Sequence, residues 1–127
     1  MLKSVTSPAA PAAIGPYSQA VAAGNTVYVS GQLPIDIRTG AFPGDDIASQ
    51  TEQSLKNVEA VLSEAGLSMS DVTMTTVLLA DIAEFGAMND VYAKHFSAPY
   101  PARAAYQVAA LPKGARVEIA AVAVRTE

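Results

Sequence analysis

One arginine stands where two prolines lead into a run of small residues, in the stretch PYPARAAYQV at residues 99–108. The guanidinium of Arg103 is always charged, and its planar fork of N–H donors matches a carboxylate. Strand alternation would place Ala105 and Gln107 on the same side of the chain, and neighbours this small cannot shield the charge. Arg103 is therefore either a binder of a carboxylate ligand or an edge-strand arginine that lies in water or in a salt bridge between subunits.

A second candidate is Glu118, which lies in VEIAAVAV at residues 117–124, the most apolar strand-like stretch of the chain. Alternation puts it on one face with Ala120 and Val122. Because a carboxylate that is buried without a partner is costly, Glu118 either lies exposed at the start of the strand or serves as a paired, functional acid.

The remaining candidates are one amide and two loops bordered by glycine. Helical spacing places Asn89 on the edge of an apolar stripe. Because a buried amide must be hydrogen-bonded, Asn89 either stabilises the fold or contacts a ligand. The loops Gly15-Pro16-Tyr17 and Ser30-Gly31-Gln32 allow close approach to the backbone and expose a phenol and a hydroxyl. Turn geometry alone would also explain the glycines, and core packing would explain Tyr17.

The residue types exclude several other kinds of site. The chain has no cysteine, which rules out disulfides, thiolate zinc sites and a cysteine nucleophile. Its one histidine, His95, cannot form a histidine pair for a metal, and we interpret it as a solvated residue near a helix C-terminus. The adjacent Asp45 and Asp46 are explained by helix capping, and no phosphate-binding glycine motif is present.

Composition limits the partners of the protein. The formal net charge of −4 opposes a surface that follows nucleic-acid phosphates. Half of the 127 residues are apolar and only 16% are charged, which favours a homo-oligomer that covers large apolar patches. No apolar run approaches the roughly 20 residues that span a bilayer, and the N-terminal segment lacks the pattern of a signal peptide. We expect a cytoplasmic protein that consists of one domain over residues 1–127.

Apolar alternation and turn signals predict five strands and two helices in the order β-β-α-β-α-β-β. Two short strands are expected within residues 18–29, and single strands at residues 72–79, 103–109 and 116–124. Strands outnumber helices and several neighbours are close enough to form hairpins. The predicted fold class is therefore α+β, with a mixed sheet covered on one face by two helices and on the other by neighbouring subunits.

Each predicted helix carries one apolar stripe between recognisable end signals. The first is expected between the aspartates at residues 45–46 and the stop signal Gly66. The second begins with Asp81 and Glu84 at capping-box spacing and should end before Pro99. The stripe of this second helix consists of Phe85, Met88, Tyr92 and Phe96.

Five blocks of the sequence resemble, in the same order, the signature blocks of the RidA/YjgF family of reactive intermediate deaminases. They are AIGPYSQAV (13–21), VSGQLPID (29–36), MNDVYAKHF (88–96), PARAA (101–105) and ALPKGARVEIAAVAV (110–124). The resemblance implies a chorismate-mutase-like fold, a homotrimer with clefts between subunits, and a hydrolase that needs no cofactor or metal. It also implies the reaction: the imine tautomers of 2-aminoacrylate and 2-aminocrotonate are hydrolysed to 2-keto acids and ammonia.

The same resemblance implies roles for individual residues. The family's carboxylate-binding arginine corresponds to Arg103, and the acid that handles water and protons corresponds to Glu118. The other substrate-binding positions correspond to Tyr17, Ser30, Gly31, Asn89 and Ala105.

The chain departs from the family pattern beside the arginine. Many members have a cysteine where this chain has Ala105, and Tyr106-Gln107 replace the usual Val-Glu. If the backbone contacts the substrate there, Ala105 can substitute; if the thiol matters, activity or substrate preference changes. The alternatives are a non-catalytic trimer that binds 2-keto acids or other small carboxylates, and a divergent member of the family. Ribonuclease activity, proposed for some relatives, is disfavoured by the acidic chain and by the lack of a histidine pair or basic groove.

Overall fold

The computed structural model of the protein describes residues 1–126, so the expected domain of residues 1–127 ends at Glu127, outside the described residues. Six strands form one sheet in the order β1-β2-β3-β6-β4-β5. The strands are β1 Lys3–Val5, β2 Ala20–Ala23, β3 Thr26–Gln32, β4 Val72–Leu79, β5 Ala102–Gln107 and β6 Val117–Val124. The helices are α1 Ile47–Glu64 and α2 Phe85–Tyr92.

The sheet is mixed, as predicted. Strands β4 and β5 are parallel, whereas the pairs β1–β2, β2–β3, β3–β6 and β4–β6 are antiparallel. A parallel pair needs a crossover connection, and α2 provides it. This crossover carries α2 across the face of the sheet next to the edge strand β5.

Both helices pack on one face of the sheet, which we call the helix face. Along β6 the residues alternate strictly: Val117 and Ile119 are fully buried, while Glu118 and Ala120 are half-buried on the opposite, outer face. Helix α1 packs on β3, β6 and α2. The core between the layers includes Leu55, Val58, Leu62, Val77, Leu79, Met88, Val117 and Ile119.

The end signals of α1 act as predicted. The carboxylate of Asp46 accepts a hydrogen bond from the Ser49 amide at 2.8 Å, which satisfies a free donor of the first turn. At the other end Gly66 has φ 77°, a left-handed conformation that glycine adopts without steric cost. Within residues 1–126, neither helix is long and apolar enough to cross a membrane.

The second helix is shorter than predicted. Asp81 caps a 3₁₀ turn at Ile82–Glu84 by accepting from the Ala83 amide, and α2 begins only at Phe85. The expected capping box is therefore wrong, because Glu84 pairs with Arg116 at 3.1 Å instead.

The residues after Tyr92 lie beyond the end of α2. Phe96 nevertheless stays in the apolar stripe, since its ring stacks on Tyr92 with the centroids 4.6 Å apart. Strand β1 was not predicted, because three residues are too few to show an alternating pattern; it forms by pairing with β2.

Candidate active site

Arg103 lies on the edge strand β5, where it pairs in parallel register with Thr75 of β4. Thr75 is buried beneath the helices, so Arg103 also points to the helix face. Its guanidinium carbon lies 4.8 Å from the ring centroid of Tyr92 and 5.2 Å from that of Phe85. Both distances are typical of cation–π contacts. Its small neighbours on β5 leave Arg103 exposed, as expected, but two rings of α2, which the sequence did not indicate, contact its guanidinium.

The amide of Asn89 holds the same guanidinium from the side. Arg103 Nη1 donates a hydrogen bond of 2.6 Å to Asn89 Oδ1. Asn89 therefore contacts the arginine, and its side-chain nitrogen is not needed for that contact. A cavity of about 400 Å³ opens here, which we call the arginine pocket; it is lined by Asn89, Tyr92, Ala93, Tyr100, Pro101 and Arg103.

Ala105 does not line the arginine pocket. It pairs with Val77, and its side chain packs against the hydrophobic core. It shares the helix face with Arg103, as the alternation predicted, but its methyl group points into the protein.

Glu118 and Gly31 are in contact on the outer face. The register between β3 and β6 shifts between Val29 and Gln32, so Ser30 and Gly31 form a bulge beside Glu118. A Cβ atom on Gly31 would lie 2.9 Å from the carboxyl carbon of Glu118, and closer still to its Oε2. The absence of a side chain at Gly31 makes room for this carboxylate.

Glu118 is neither exposed at a strand end nor paired. It is half-buried, and within residues 1–126 its carboxylate forms no ion pair. Burial raises the pKa of Glu118, because the ionised form loses hydration. A half-buried acid with a raised pKa can exchange a proton with a ligand beside it.

The bulge also supports the loop that carries Tyr17. The Ser30 hydroxyl donates to the Ser18 carbonyl at 2.6 Å, and the Ser30 amide donates to the Gln19 carbonyl at 2.9 Å. Tyr17 itself is exposed and lines a cavity of about 180 Å³ together with Gly31. We call Tyr17, Ser30, Gly31 and Glu118 the glutamate cluster.

Sequence reasoning missed two kinds of residue that support these groups. Phe85 and Tyr92 were assigned to the apolar stripe of α2, and nothing in that pattern predicts that they also stack on Arg103. Gln19 is buried, and its side-chain amide holds the preceding loop through Ser7, Ala10 and Pro11. A glutamine in an apolar stretch was the available signal for this network.

Within one chain the sheet separates the arginine pocket from the glutamate cluster. Arg103 pairs with Thr75 on the helix face, whereas Glu118 pairs with Leu78 on the outer face. One small ligand cannot touch both side chains of the same copy. A site that uses both must therefore combine the arginine pocket of one copy with the glutamate cluster of another.

His95 is not the solvated residue that the sequence suggested. Its side chain is only 13% exposed, and its Nε2 lies 2.7 Å from Glu52 Oε1. Glu52 lies on α1, which packs against α2. Among residues 1–126, no three histidine, aspartate or glutamate side chains come together as metal ligands would.

A family model and a curated relative both match nearly the whole chain. The endoribonuclease L-PSP family matches residues 7–125. A Bos taurus protein named 2-iminobutanoate/2-iminopropanoate deaminase is 51% identical, over 97% of this chain and 90% of its own length.

Two solved structures have the same fold as this chain. One, described as an endoribonuclease L-PSP from Entamoeba histolytica, is 49% identical with a TM-score of 0.95 and covers 98% of this chain and 100% of its own. The other, Escherichia coli TdcF with bound serine, is 42% identical with a TM-score of 0.91 and covers 98% of this chain and 99% of its own. The chain belongs to the endoribonuclease L-PSP family, the RidA/YjgF family that its sequence blocks resemble.

Proposed function

We propose that this protein hydrolyses the imine forms of 2-aminoacrylate and 2-aminocrotonate to 2-keto acids and ammonia. The observation that carries the proposal is the orientation of Arg103. Its guanidinium is held by two aromatic rings and by Asn89, and it borders an open pocket. A fixed guanidinium beside a small cavity suits a ligand with one carboxylate. The name of the bovine relative supports the substrate class.

In the first step the carboxylate of the substrate binds to Arg103. Asn89 accepts from Nη1, and within residues 1–126 no acceptor engages the other guanidinium nitrogens. Those donors are free to form a pair of hydrogen bonds with a carboxylate. Such a pair fixes the position of the neighbouring imine carbon, and orientation of this kind lowers the barrier to attack.

In the second step water adds to the imine carbon. Glu118, in its ionised form, accepts a proton from the attacking water, whose oxygen forms a bond to the carbon. Glu118 then passes this proton to the nitrogen, which gains the electron pair of the carbon–nitrogen double bond, and a carbinolamine forms. Glu118 next moves the hydroxyl proton of the carbinolamine to the amine, so that the carbon–nitrogen bond breaks, ammonia leaves and the carbon–oxygen double bond forms. The oxygen of the water becomes the keto oxygen of the product. Atoms and charge balance without a metal, a cofactor or a covalent intermediate with the protein.

The proposal includes a homotrimer with the sites between subunits. Its support is the separation of Arg103 from Glu118 by the sheet of their own chain, which a second copy would overcome. The outer face also carries apolar side chains that a second copy would bury. Tyr28 is 50% exposed there, next to the half-buried Val122.

Tyr17, Ser30, Gly31 and Ala105 complete the proposed site. In this arrangement Tyr17 forms one wall, Ser30 supports the loop that carries Tyr17, and Gly31 leaves room for the carboxylate of Glu118. Ala105 contributes through its backbone, since its methyl group packs into the core. A single domain over residues 1–127 and a location in the cytoplasm belong to the same proposal.

A coupled assay tests the proposal. A pyridoxal-phosphate dehydratase generates 2-aminoacrylate from serine or 2-aminocrotonate from threonine, and the loss of the enamine is timed with and without this protein. We expect faster loss with the wild type and no acceleration with Arg103→Ala. An Arg103→Ala variant that folds and retains near-wild-type turnover would overturn the proposal.

A further inference from the structure

We propose that Tyr92 is a positioning residue, which its hydrogen bond to Thr75 locks in place so that its ring fixes the orientation of Arg103. The inference rests on the proposed function, because it assigns to Arg103 the carboxylate of the substrate. It concerns how an exposed arginine on an edge strand keeps one orientation before the ligand arrives.

The hydroxyl groups of Thr75 and Tyr92 lie 2.7 Å apart. Both residues are buried, Thr75 at 1% exposure and Tyr92 at 6%. Buried hydroxyl groups need partners, and each of these two supplies the other's. The pair therefore holds the Tyr92 ring at one position relative to β4.

Thr75 is also the residue that pairs with Arg103 across the β4–β5 ladder. The three residues thus form a closed triangle. The ladder joins Arg103 to Thr75, the hydrogen bond joins Thr75 to Tyr92, and the ring of Tyr92 lies 4.8 Å from the guanidinium carbon of Arg103. The Tyr92 ring that contacts the guanidinium is therefore bonded to the same β4 residue that pairs with the backbone of Arg103.

Two further contacts leave the guanidinium little freedom. The Phe85 ring lies 5.2 Å away, and Asn89 accepts from Nη1. Held in this way, Arg103 loses less side-chain freedom when a carboxylate binds. We expect that loss of the Thr75–Tyr92 bond weakens carboxylate binding about 3- to 10-fold, the effect of releasing one flexible side chain.

The competing explanation is that Tyr92 only fills the core. Phe96 provides the matched control, because it stacks on Tyr92 at 4.6 Å and is equally buried, yet it makes no cation–π contact with Arg103. A core-filling role would make Phe96→Leu and Tyr92→Phe act alike on binding.

The test uses Thr75→Val, Tyr92→Phe, their double variant and Phe96→Leu. For each we would measure the melting temperature, the Kd for 2-oxobutanoate, and the KM and kcat for 2-aminocrotonate hydrolysis. Each single variant leaves one buried hydroxyl without a partner, whereas the double variant removes both, so its melting temperature should recover. Binding should not recover: Kd and KM should stay about 3- to 10-fold raised, with kcat within about 2-fold of the wild type. Phe96→Leu should lower the melting temperature and leave Kd unchanged.

A ligand-free measurement separates the failure of this inference from the failure of the proposed function. The side-chain Nε–H signal of Arg103, identified by its loss in Arg103→Lys, reports the ring currents of Tyr92 and Phe85. We expect that signal to move or broaden in Thr75→Val and in Tyr92→Phe, and to stay in place in Phe96→Leu. An unchanged signal in the first two variants, or recovery of both stability and binding in the double variant, would overturn the positioning role. A wild type that neither binds 2-oxobutanoate nor hydrolyses the imine would instead overturn the proposed function, while the signal would still decide the role of Tyr92.

Discussion

Arg103 and Glu118 lie on opposite faces of one sheet, separated within the chain by the strand β4, which pairs with both β5 and β6. The guanidinium is oriented by residues of α2, and the carboxylate fits the space beside Gly31. Arg103 is therefore oriented towards a ligand on the helix face, and Glu118 towards a ligand on the outer face. The reaction proposed for this protein therefore needs two copies of the chain, one that supplies Arg103 and one that supplies Glu118.

Replacing Glu118 by glutamine should separate binding from turnover. Glutamine has a similar shape and no charge to transfer, so the contact with Gly31 is kept and the proton acceptor is lost. General acid–base catalysis typically contributes about 10²- to 10⁴-fold, and kcat for 2-aminocrotonate should fall within that range. Calorimetric titration with 2-oxobutanoate should give a Kd within about 3-fold of the wild type, because Arg103 remains.

The non-catalytic alternative makes the opposite prediction for the same variant. A trimer that only binds small carboxylates would show no turnover in the wild type and no change on Glu118→Gln. A metal-free RNA cleavage assay on the same preparation tests the third alternative, which is ribonuclease activity. The net charge of −4 leaves little electrostatic attraction for RNA.

The fall of kcat/KM at low pH should reflect the protonation of Glu118. Burial raises the pKa of this carboxyl, and only the ionised form accepts a proton from water. The value of kcat/KM should therefore fall as the pH falls through that raised pKa, which is higher than that of an ordinary glutamate. In Glu118→Gln this acidic limb of the rate profile should disappear while any limb of the substrate itself remains. An acidic limb of the same position in both proteins would contradict the assignment.

The same pKa shift has a consequence for stability with a defined sign. Because the native pKa is raised, the folded protein binds the proton of Glu118 more tightly than the unfolded chain does. The stabilisation is complete below the unfolded pKa and is lost as the pH rises through the native pKa. Denaturant titrations of wild type and Glu118→Gln should accordingly diverge over that pH interval, with the wild type losing free energy of unfolding relative to the variant.

Gly31→Ala should move the carboxylate without removing it. The added methyl group would meet the end of the Glu118 side chain, which can rotate away, so the melting temperature should change little. Turnover should fall about 10-fold or more, since displacement of a catalytic group by about 1 Å can cost up to 10²-fold. Gly86→Ala is the matched control, because a Cβ there meets no atom within 4 Å. Equal activity of the two variants would contradict the role given to the Gly31 space.

Much of the fold follows from patterns that act over short distances. The alternation in residues 117–124 predicted the strand and put Glu118 on the correct face, and Asp46 with Gly66 predicted the ends of α1. The three residues of β1 carry no such pattern, and they form a strand only because β2 is available to pair with them.

The environment of Arg103 was beyond sequence reasoning for a different reason. Its neighbours along β5 are small, but its neighbours in space come from α2, which the parallel crossover brings over the strand. His95 was misassigned on the same grounds, since Glu52 approaches it from a distant helix. Contacts between distant segments depend on the topology, which the pattern of a single segment does not contain.

Complementation between two inactive variants tests the shared site most directly. Arg103→Ala and Glu118→Gln would be co-expressed with different tags, and mixed trimers would be purified and assayed for 2-aminocrotonate hydrolysis. If each site takes its arginine from one copy and its glutamate from the next, every mixed trimer keeps both groups intact at about one site in three. The account predicts about a third of the wild-type rate from subunits that are each inactive alone. Mixed trimers as inactive as either parent would contradict it.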